Sequence, residues 1–368
     1  MSSDHPAEAL TNDGVRHELG LRVARILGAE DGNNPVECGQ LTIHHFSFTF
    51  TVNTHPDTES GEVFVKIPKT DMRGTEPQIL PISSEDRALA QGEVSSLRLL
   101  GEKWPCDELG VRWVHIRDFL PEHNAIITDR VFGGPAFQTF RRLDILRRCG
   151  FRKAAGDLRG YMARLGAALG RFHHANSRPL PFRFASLRPK LESYCRDISE
   201  RTDSPWPRRV LDRLRHLGDI ELPGLQVPTL KGLDIRNILL DSMDRMYLLD
   251  PGKMKVTYRE ADLARFLMTY RILYWGSKCL LLLGTPDAEA EASFLSSYYK
   301  HSSPPSQGIL DFYFLKEMLK HWYTAMDSLQ RLPWTPAVKR LTSRIYIDPF
   351  YSGQLAMGLG SVSLHKRS

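Results

Sequence analysis

The pattern of apolar and polar positions divides the chain into a strand-rich first third and a mostly helical remainder. Over residues 16–28, Leu19, Leu21, Val23 and Ile26 recur at helical spacing, which predicts a leading helix. Over 39–54, GQLTIHHFSFTFTVNT, the set Ile43, His45, Ser47 and Thr49 alternates with His44, Phe46, Phe48 and Phe50. That alternation, rich in β-branched and aromatic types, predicts one strand. HPDTESGE (55–62) supplies turn residues and VFVKIPK (63–69) reads as the returning strand. A helix is expected over 83–104 from the stripe Leu89, Val94, Leu97 and Leu100, with Ser83 or Ser84 as its cap. VRWVHIRDFL (111–120) and NAIITDRV (124–131) read as two further strands. After Gly133 and Gly134 the period becomes helical, most clearly over 157–176, where Leu158, Met162, Leu165, Leu169 and Phe172 share a face. From EADLARFLMTYRILYW onward the chain reads as helices separated by loops containing Pro and Gly.

One segment interrupts the helical remainder. NILL (237–240) and MYLLD (246–250) are short apolar runs separated by DSMDR, a hairpin signature. A short antiparallel turn brings entry and exit side by side, so Asn237 and Asp250 converge. An amide oxygen and a carboxylate are hard ligands of the kind Mg2+ prefers, with phosphates and waters completing its shell. The same two residues also suit an ordinary hairpin with turn-forming ends. Gly252 gives the backbone room to bend after Asp250. Upstream, Asp234 is the one carboxylate between Gly232 and Asn237. Lys231 and Arg236 flank it, either as neutralisers of phosphate charge or as exposed loop cations.

Composition narrows the class. At 368 residues there is ample chain for two domains, and 42% hydrophobic with 25% charged residues is the profile of a globular protein. No apolar run approaches the roughly 18–20 residues of a membrane span; CLLLLG (279–284) is too short. The N-terminus is polar and lacks the apolar core of a secretory signal. Five scattered cysteines without a CxxC pair argue against a disulfide framework or a zinc site and favour the cytoplasm. A net charge of +6 suits phosphate-bearing ligands, and no nucleic-acid module is visible. The basic run RRLDILRRCGFRK (141–153) reads as a solvated helix face, or as a patch for an anionic substrate or a membrane surface.

The order of a strand pair with a lysine, a helix with a glutamate, two strands, a hinge and a helical lobe, ending in NILL…YLLDPG…DLARF, resembles the aminoglycoside-phosphotransferase and protein-kinase-like superfamily. The likeness is to its bacterial small-molecule or glycan kinase branch. It covers most of 35–330 and is most specific over 230–266. It implies an α+β, two-lobed protein-kinase-like fold. Residues 1–34 would be an extension with the leading helix, 35–132 a nucleotide-binding N-lobe, and 133–368 a helical C-lobe with the catalytic loop and acceptor site. It further implies ATP and Mg2+ as cofactors, held between the lobes. Lys66, with Lys69 as a substitute, would reach the α- and β-phosphates, and Glu93, with Glu85 on the same helix, would orient it. Backbone from Thr128 through Arg130 to Phe132 would meet the adenine edge. Asn237 and Asp250 would hold the metal, and Asp262 would support the catalytic loop from behind.

The chain departs from this family in two places. Where relatives carry His-Gly-Asp before the asparagine, this sequence has Leu230, Lys231 and Gly232. No glycine-rich phosphate loop is visible either; Ser47, or backbone amides near His44 to Phe46, would have to cover the phosphates. Asp234 becomes the candidate base, with a magnesium-binding or structural role as the alternative. The expected activity is phosphoryl transfer to a hydroxyl of a small metabolite, of sugar or glycan type. Two other readings stand beside it: a pseudokinase that binds nucleotide or a partner, and a transferase that moves a nucleotidyl group. Tyr274, Trp275, Trp322 and Tyr323 read as sugar-stacking rings or as core.

Overall fold

The computed structural model of the protein describes residues 11–28, 36–44, 46–53, 62–70, 72, 77–104, 107–276 and 287–362. His45, most of the HPDTESGE turn, Cys106, CLLLLG with Cys279, and the side chains of Tyr274 and Trp275 lie outside what is described. In chain order the elements are α1 (Asn12–Ile26), β1 (Glu37–Cys38), β2 (Thr42–Ile43), β3 (Ser47–Asn53), β4 (Glu62–Pro68), α2 (Ser84–Lys103), β5 (Val111–Trp113), β6 (Ile116–Leu120), β7 (Ala125–Asp129) and β8 (Gly133–Pro135). There follow α3 (Ala136–Arg148), α4 (Arg152–Ala175), β9 (Arg178–Pro179), β10 (Phe182–Arg183), α5 (Arg188–Ser199), α6 (Trp206–His216), β11 (Glu221–Leu222) and β12 (Leu225–Thr229). The chain continues through β13 (Ile238–Asp241), β14 (Met246–Leu248), β15 (Lys255–Tyr258), α7 (Glu260–Gly276), α8 (Ala288–Tyr299), α9 (Gln307–Arg331), α10 (Pro336–Thr342) and α11 (Asp348–Val362).

These elements form two compact units. The first joins the described residues up to Pro135 with Asn237–Met254; the second holds Ala136–Arg236 and the described residues from Lys255 onward. The hairpin that carries Asn237 and Asp250, grouped by sequence with the helical lobe, therefore belongs to the first unit.

In the first unit the main sheet runs β1-β3-β4-β7-β6, with β2 on β3. The alternation over 39–54 predicted one strand, but the chain folds back at His44–Ser47 and pairs with itself, Ile43 opposite Phe48. The His44 N–H donates to the Ser47 carbonyl at 2.8 Å, closing that turn. One face of the sheet is covered by Val15, Leu19 and Val23 of α1, packed with Phe48, Phe50, Val52, Val63, Val65 and Ile67. Each such fully buried apolar side chain contributes roughly 1.5–3 kcal/mol. Ala90, Val94 and Leu97 of α2 pack with Val114 and Ile126. The α2 helix starts at a capping box in which Ser83 and Asp86 exchange side-chain and backbone hydrogen bonds.

The strand expected over 111–120 also divides, and that division positions the site. β6 pairs with β7, whereas β5 leaves the main sheet and pairs in parallel with β14, Trp113 opposite Leu248. A second sheet, β5-β14-β13-β8, results. Edge strands carry unpaired backbone groups that need partners. Here β5 and β8, both from the first part of the chain, supply them and draw the hairpin into that unit.

The second unit is helical around short sheets. α4 extends back beyond its predicted start to Arg152 and packs against α8, with glycine at the closest approach. A Cβ on Gly166 would stand 2.1 Å from the Phe294 carbonyl oxygen, so only glycine fits. The basic run ends α3 and begins α4, and three of its cations are paired with carboxylates. Arg147 and Arg148 bond Asp144 at 2.6 and 2.7 Å, and Lys153 bonds Asp157 at 2.7 Å. Among the described residues no helix is long and apolar enough to cross a membrane.

Candidate active site

Strand alternation in β4 buries Val63, Val65 and Ile67 and leaves the Lys66 side chain, 17% exposed, on the other face. Its Nζ donates to both carboxylate oxygens of Glu93, at 2.8 and 3.0 Å. The same Nζ lies 2.8 Å from Oδ1 of Asp250. Three residues that are 27 and more positions apart are thus brought to one point by β4, α2 and the hairpin. Burial would lower the Lys66 pKa, but the carboxylates of Glu93 and then Asp250 outweigh it and the net shift is upward. The ammonium stays charged throughout the physiological range.

The alternatives in the sequence are resolved by what the other groups do. Lys69 is 6% exposed and fully engaged, with its Nζ 2.9 Å from Asp86 and donating to the carbonyls of Ile79 and Pro81 at 3.2 and 2.8 Å. Burial alone would raise the Asp86 pKa; donors from Thr70, Lys69 and Ser83 more than offset it and hold the carboxyl well below its usual range. Lys69 is structural, which leaves Lys66 free of rivals on this strand. Glu85 is exposed and bonds Ser84.

The hairpin is closed by Asp241, whose Oδ1 accepts the N–H groups of Met243 and Arg245 at 2.9 Å each. At its open end the Leu249 N–H donates to the Asn237 carbonyl at 2.8 Å, holding Asn237 beside the residue that precedes Asp250. Asp250 adopts φ +51° and Gly252 φ +59°. A left-handed aspartate costs on the order of 1–3 kcal/mol and persists where its surroundings hold it. The Asp250 side chain is 50% exposed, in contrast to 5% for Glu93. One carboxylate thus anchors the lysine while the other keeps open coordination.

Among the described residues no cluster of three or more His, Cys, Asp or Glu side chains exists that would bind a metal unaided. The donor set at the hairpin end, one half-open carboxylate and one amide, fits Mg2+ arriving with ligands of its own, as on a nucleotide triphosphate.

Of the adenine-edge candidates, Thr128 lies inside the sheet, in register with Phe64 and Ile116, and is 7% exposed. Arg130 and Phe132 follow the end of β7. The Arg130 guanidinium sits 4.9 Å over the Phe132 ring and is ion-paired with Glu62. Ser47, a candidate phosphate contact, is buried at 8% exposure.

The loop before the hairpin belongs to the second unit. Asp262, fully buried at the start of α7, accepts the Leu230 N–H on both oxygens, at 3.1 and 2.9 Å. Arg265 donates to the Leu230 carbonyl at 2.6 Å, and His173 Nε2 lies 3.3 Å from Asp262. Asp262 therefore supports the loop backbone. Asp234, whose side chain is 12% exposed, is closed on itself. Its Oδ1 accepts both the backbone N–H and Nε of Arg236, each at 2.9 Å, and its Oδ2 pairs with Nη2. The pair raises the Arg236 pKa.

Sequence reasoning missed His321 on α9. Its Nε2 is buried without a hydrogen-bond partner, and Lys320, Glu317, Asp234 and Arg236 all face the ring electrostatically. Burial, with Lys320 adding to it, lowers its pKa to about 4, so the imidazole is neutral at physiological pH. The charged run KEMLKHW along an otherwise apolar helix was the available signal. Trp322 is fully buried and stacks on Tyr351 at 5.5 Å, so it is core rather than a sugar platform. Tyr323 is covered by the Arg201 guanidinium at 4.7 Å.

With this geometry in hand, the fold can be placed. The structure is similar to a choline kinase from Cryptosporidium parvum Iowa II, at 10% identity and a TM-score of 0.53, covering 95% of this chain and 97% of that one. It is also similar to the apoenzyme of a macrolide 2'-phosphotransferase from Brachybacterium faecium, at 14% identity and a TM-score of 0.51, covering 91% and 98%. No family model matches the sequence, and no curated protein matches it. The likeness establishes the α+β protein-kinase-like fold that the motifs at 230–266 implied.

Proposed function

We propose that the protein is an ATP- and Mg2+-dependent phosphotransferase acting on a hydroxyl group of a small metabolite, of sugar or glycan type. The observation that carries this reading is the convergence of Lys66, Glu93 and Asp250, with Asn237 at the same hairpin end. A bare ion-pair network has no need of a left-handed aspartate left half open beside a bidentate lysine clamp. Lys66, oriented by Glu93, binds the phosphate oxygens of ATP. Asp250 and Asn237 hold Mg2+, which when bound neutralises charge on the transferring phosphoryl group. Asp234 accepts the proton of the attacking hydroxyl, and Arg236 must release it to do so. Arg130 and Phe132, beyond the paired part of β7, border the nucleotide base. Catalysis in such a site rests mainly on positioning and charge neutralisation. The free Cys38, Cys149 and Cys195 suit a reducing, ATP-supplied cytosol.

A specific observation supports a second reading, a pseudokinase that binds nucleotide without efficient transfer: Gly232 replaces the usual base and Arg236 occupies the Asp234 carboxylate. Turnover separates the two. ATP with Mg2+ at about 100 times its dissociation constant stabilises a binding protein by about 2.7 kcal/mol in either case. Transfer of labelled γ-phosphate to a panel of sugars and amino alcohols, lost in Asp250→Ala, supports the enzyme. Stabilisation with no transfer to any acceptor supports the pseudokinase, and no stabilisation by ATP contradicts both.

A further inference from the structure

The helical unit contains a cavity of about 560 Å³ that no residue of the Asp234 loop lines. Its walls come from the end of α5, the α5–α6 loop, the first turns of α6, the end of α9, α10 and the turn before α11. Six cationic side chains line it: Arg201, Arg208, Arg209, Lys339, Arg340 and Arg344. The acids among them are mostly occupied. Asp348, buried on the floor, accepts from Thr202 Oγ1 at 2.7 Å, Ser343 Oγ at 3.0 Å and Trp322 Nε1 at 3.1 Å. Asp203 is taken by Arg344 at 2.7 Å and Asp212 by Arg215 at 3.4 Å. Arg201 is in turn held by Asp327 at 3.3 Å. Arg208, Arg209, Lys339 and Arg340 are left without a carboxylate partner among the described residues, although Lys339 donates to the Gln330 carbonyl at 2.6 Å and Arg209 lies 5.4 Å over the Trp206 ring; Glu200 also lines the cavity.

We infer that this cavity binds a phosphorylated, hydroxyl-bearing small metabolite. Like charges from α6 and α10, with Arg201 and Arg344 from the adjoining turns, converge on a concavity, which concentrates a positive potential where an anion enters. Guanidinium forks match phosphate oxygens in bidentate geometry, and three of the four cations without a carboxylate partner are arginines. The hydroxyls of Ser199, Thr202 and Ser343 on the same lining donate within the fold, to Cys195 and Asp348, and Ser204 pairs with Ser352, so they offer acceptor lone pairs to the hydroxyls of a sugar or ribose. The volume is that of a small-molecule pocket. The site stands apart from the nucleotide reading and does not depend on it.

Calorimetric titration of the whole protein with glucose 6-phosphate and, separately, with pyrophosphate tests the inference. Saturable binding of one equivalent is expected, weakened by about tenfold or more in Arg208→Ala/Arg340→Ala, the loss of one or two charge-assisted contacts. Both arginines are exposed and unpartnered, so the double variant should keep its unliganded melting temperature. Binding should persist in Lys66→Met. If pyrophosphate alone binds with this sensitivity, the anion site stands and its occupant is inorganic. Binding that is lost in Lys66→Met and kept in the double variant, or no saturable binding of either probe, overturns the inference.

Discussion

The end of the hairpin and the loop that precedes it carry two aspartates treated in opposite ways. Asp250 is half exposed, and its partner Lys66 comes from a distant strand that Glu93 also clamps. Asp234 is nearly buried, and its partner Arg236 is two residues away. A long-range clamp orders a cation without consuming the carboxylate beside it. A local pair satisfies its own carboxylate and costs the fold little. The difference teaches which carboxylate is accessible: Asp250 is half open, whereas Asp234 has to be released from Arg236 before it can meet a ligand.

The largest expected effect is at Asp250. Asp250→Ala should lower phosphotransfer on the order of 10³-fold, equivalent to about 4 kcal/mol of charge stabilisation. Its melting temperature should barely move, because a half-exposed carboxylate contributes little to stability. Loss of stability in proportion to loss of rate would break the contrast. Next comes the buried Lys69–Asp86 pair just beyond the end of β4. Asp86→Ala leaves Lys69 uncompensated and should cost about 3–5 kcal/mol of folding free energy by denaturant titration. Activity per folded molecule should be retained, which separates the structural Lys69 from Lys66, the proposed phosphate ligand.

Asp234→Asn should reduce kcat by about 10²-fold if the carboxylate is a base, with KM for ATP unchanged. An unchanged kcat would assign the residue to structure. Arg236→Ala should alter stability by less than about 1 kcal/mol, since its side chain is 58% exposed. It should raise kcat or leave it alone; a fall in kcat would make the guanidinium itself part of the reaction.

A pH slope is expected from His321. Its folded pKa, about 4, is depressed below the ordinary value of 6.5, so below 6.5 the unfolded state takes up a proton that the folded state does not. Stability from this group is therefore fully present above pH 6.5 and lost as pH falls toward 4. His321→Asn should flatten the melting temperature over that window. An unchanged slope would assign the dependence to other groups.

How much of this was legible beforehand follows from the range of each interaction. Alternation in VFVKIPK favoured Lys66 over Lys69 because strand period is local, its role coming from the family resemblance, and the hairpin ends placed Asn237 and Asp250 together for the same local reason. The division of 111–120 into β5 and β6 was hidden, since both halves carry a good strand pattern and nothing local says which sheet each will join. The fold-back at His44–Ser47 was hidden likewise, because both faces of the continuing strand are buried and the alternation runs through the turn. Asp234 was found as the sole carboxylate of its loop, but its closure by Arg236 is a choice of side-chain torsions, which spacing does not reveal. Strand register separated Lys66 from Lys69 in the sequence, but the engagement of Lys69 shows only when Asp86, Ile79 and Pro81 are brought to it.

The central claim is that Asp250 holds the metal that accompanies ATP at the Lys66 clamp. Titrating ATP into the wild-type protein and into Asp250→Ala, each with and without Mg2+, tests it most directly. The account predicts that Mg2+ tightens ATP binding in the wild type and has no effect on the variant. Equal dependence on Mg2+ in both proteins would contradict it.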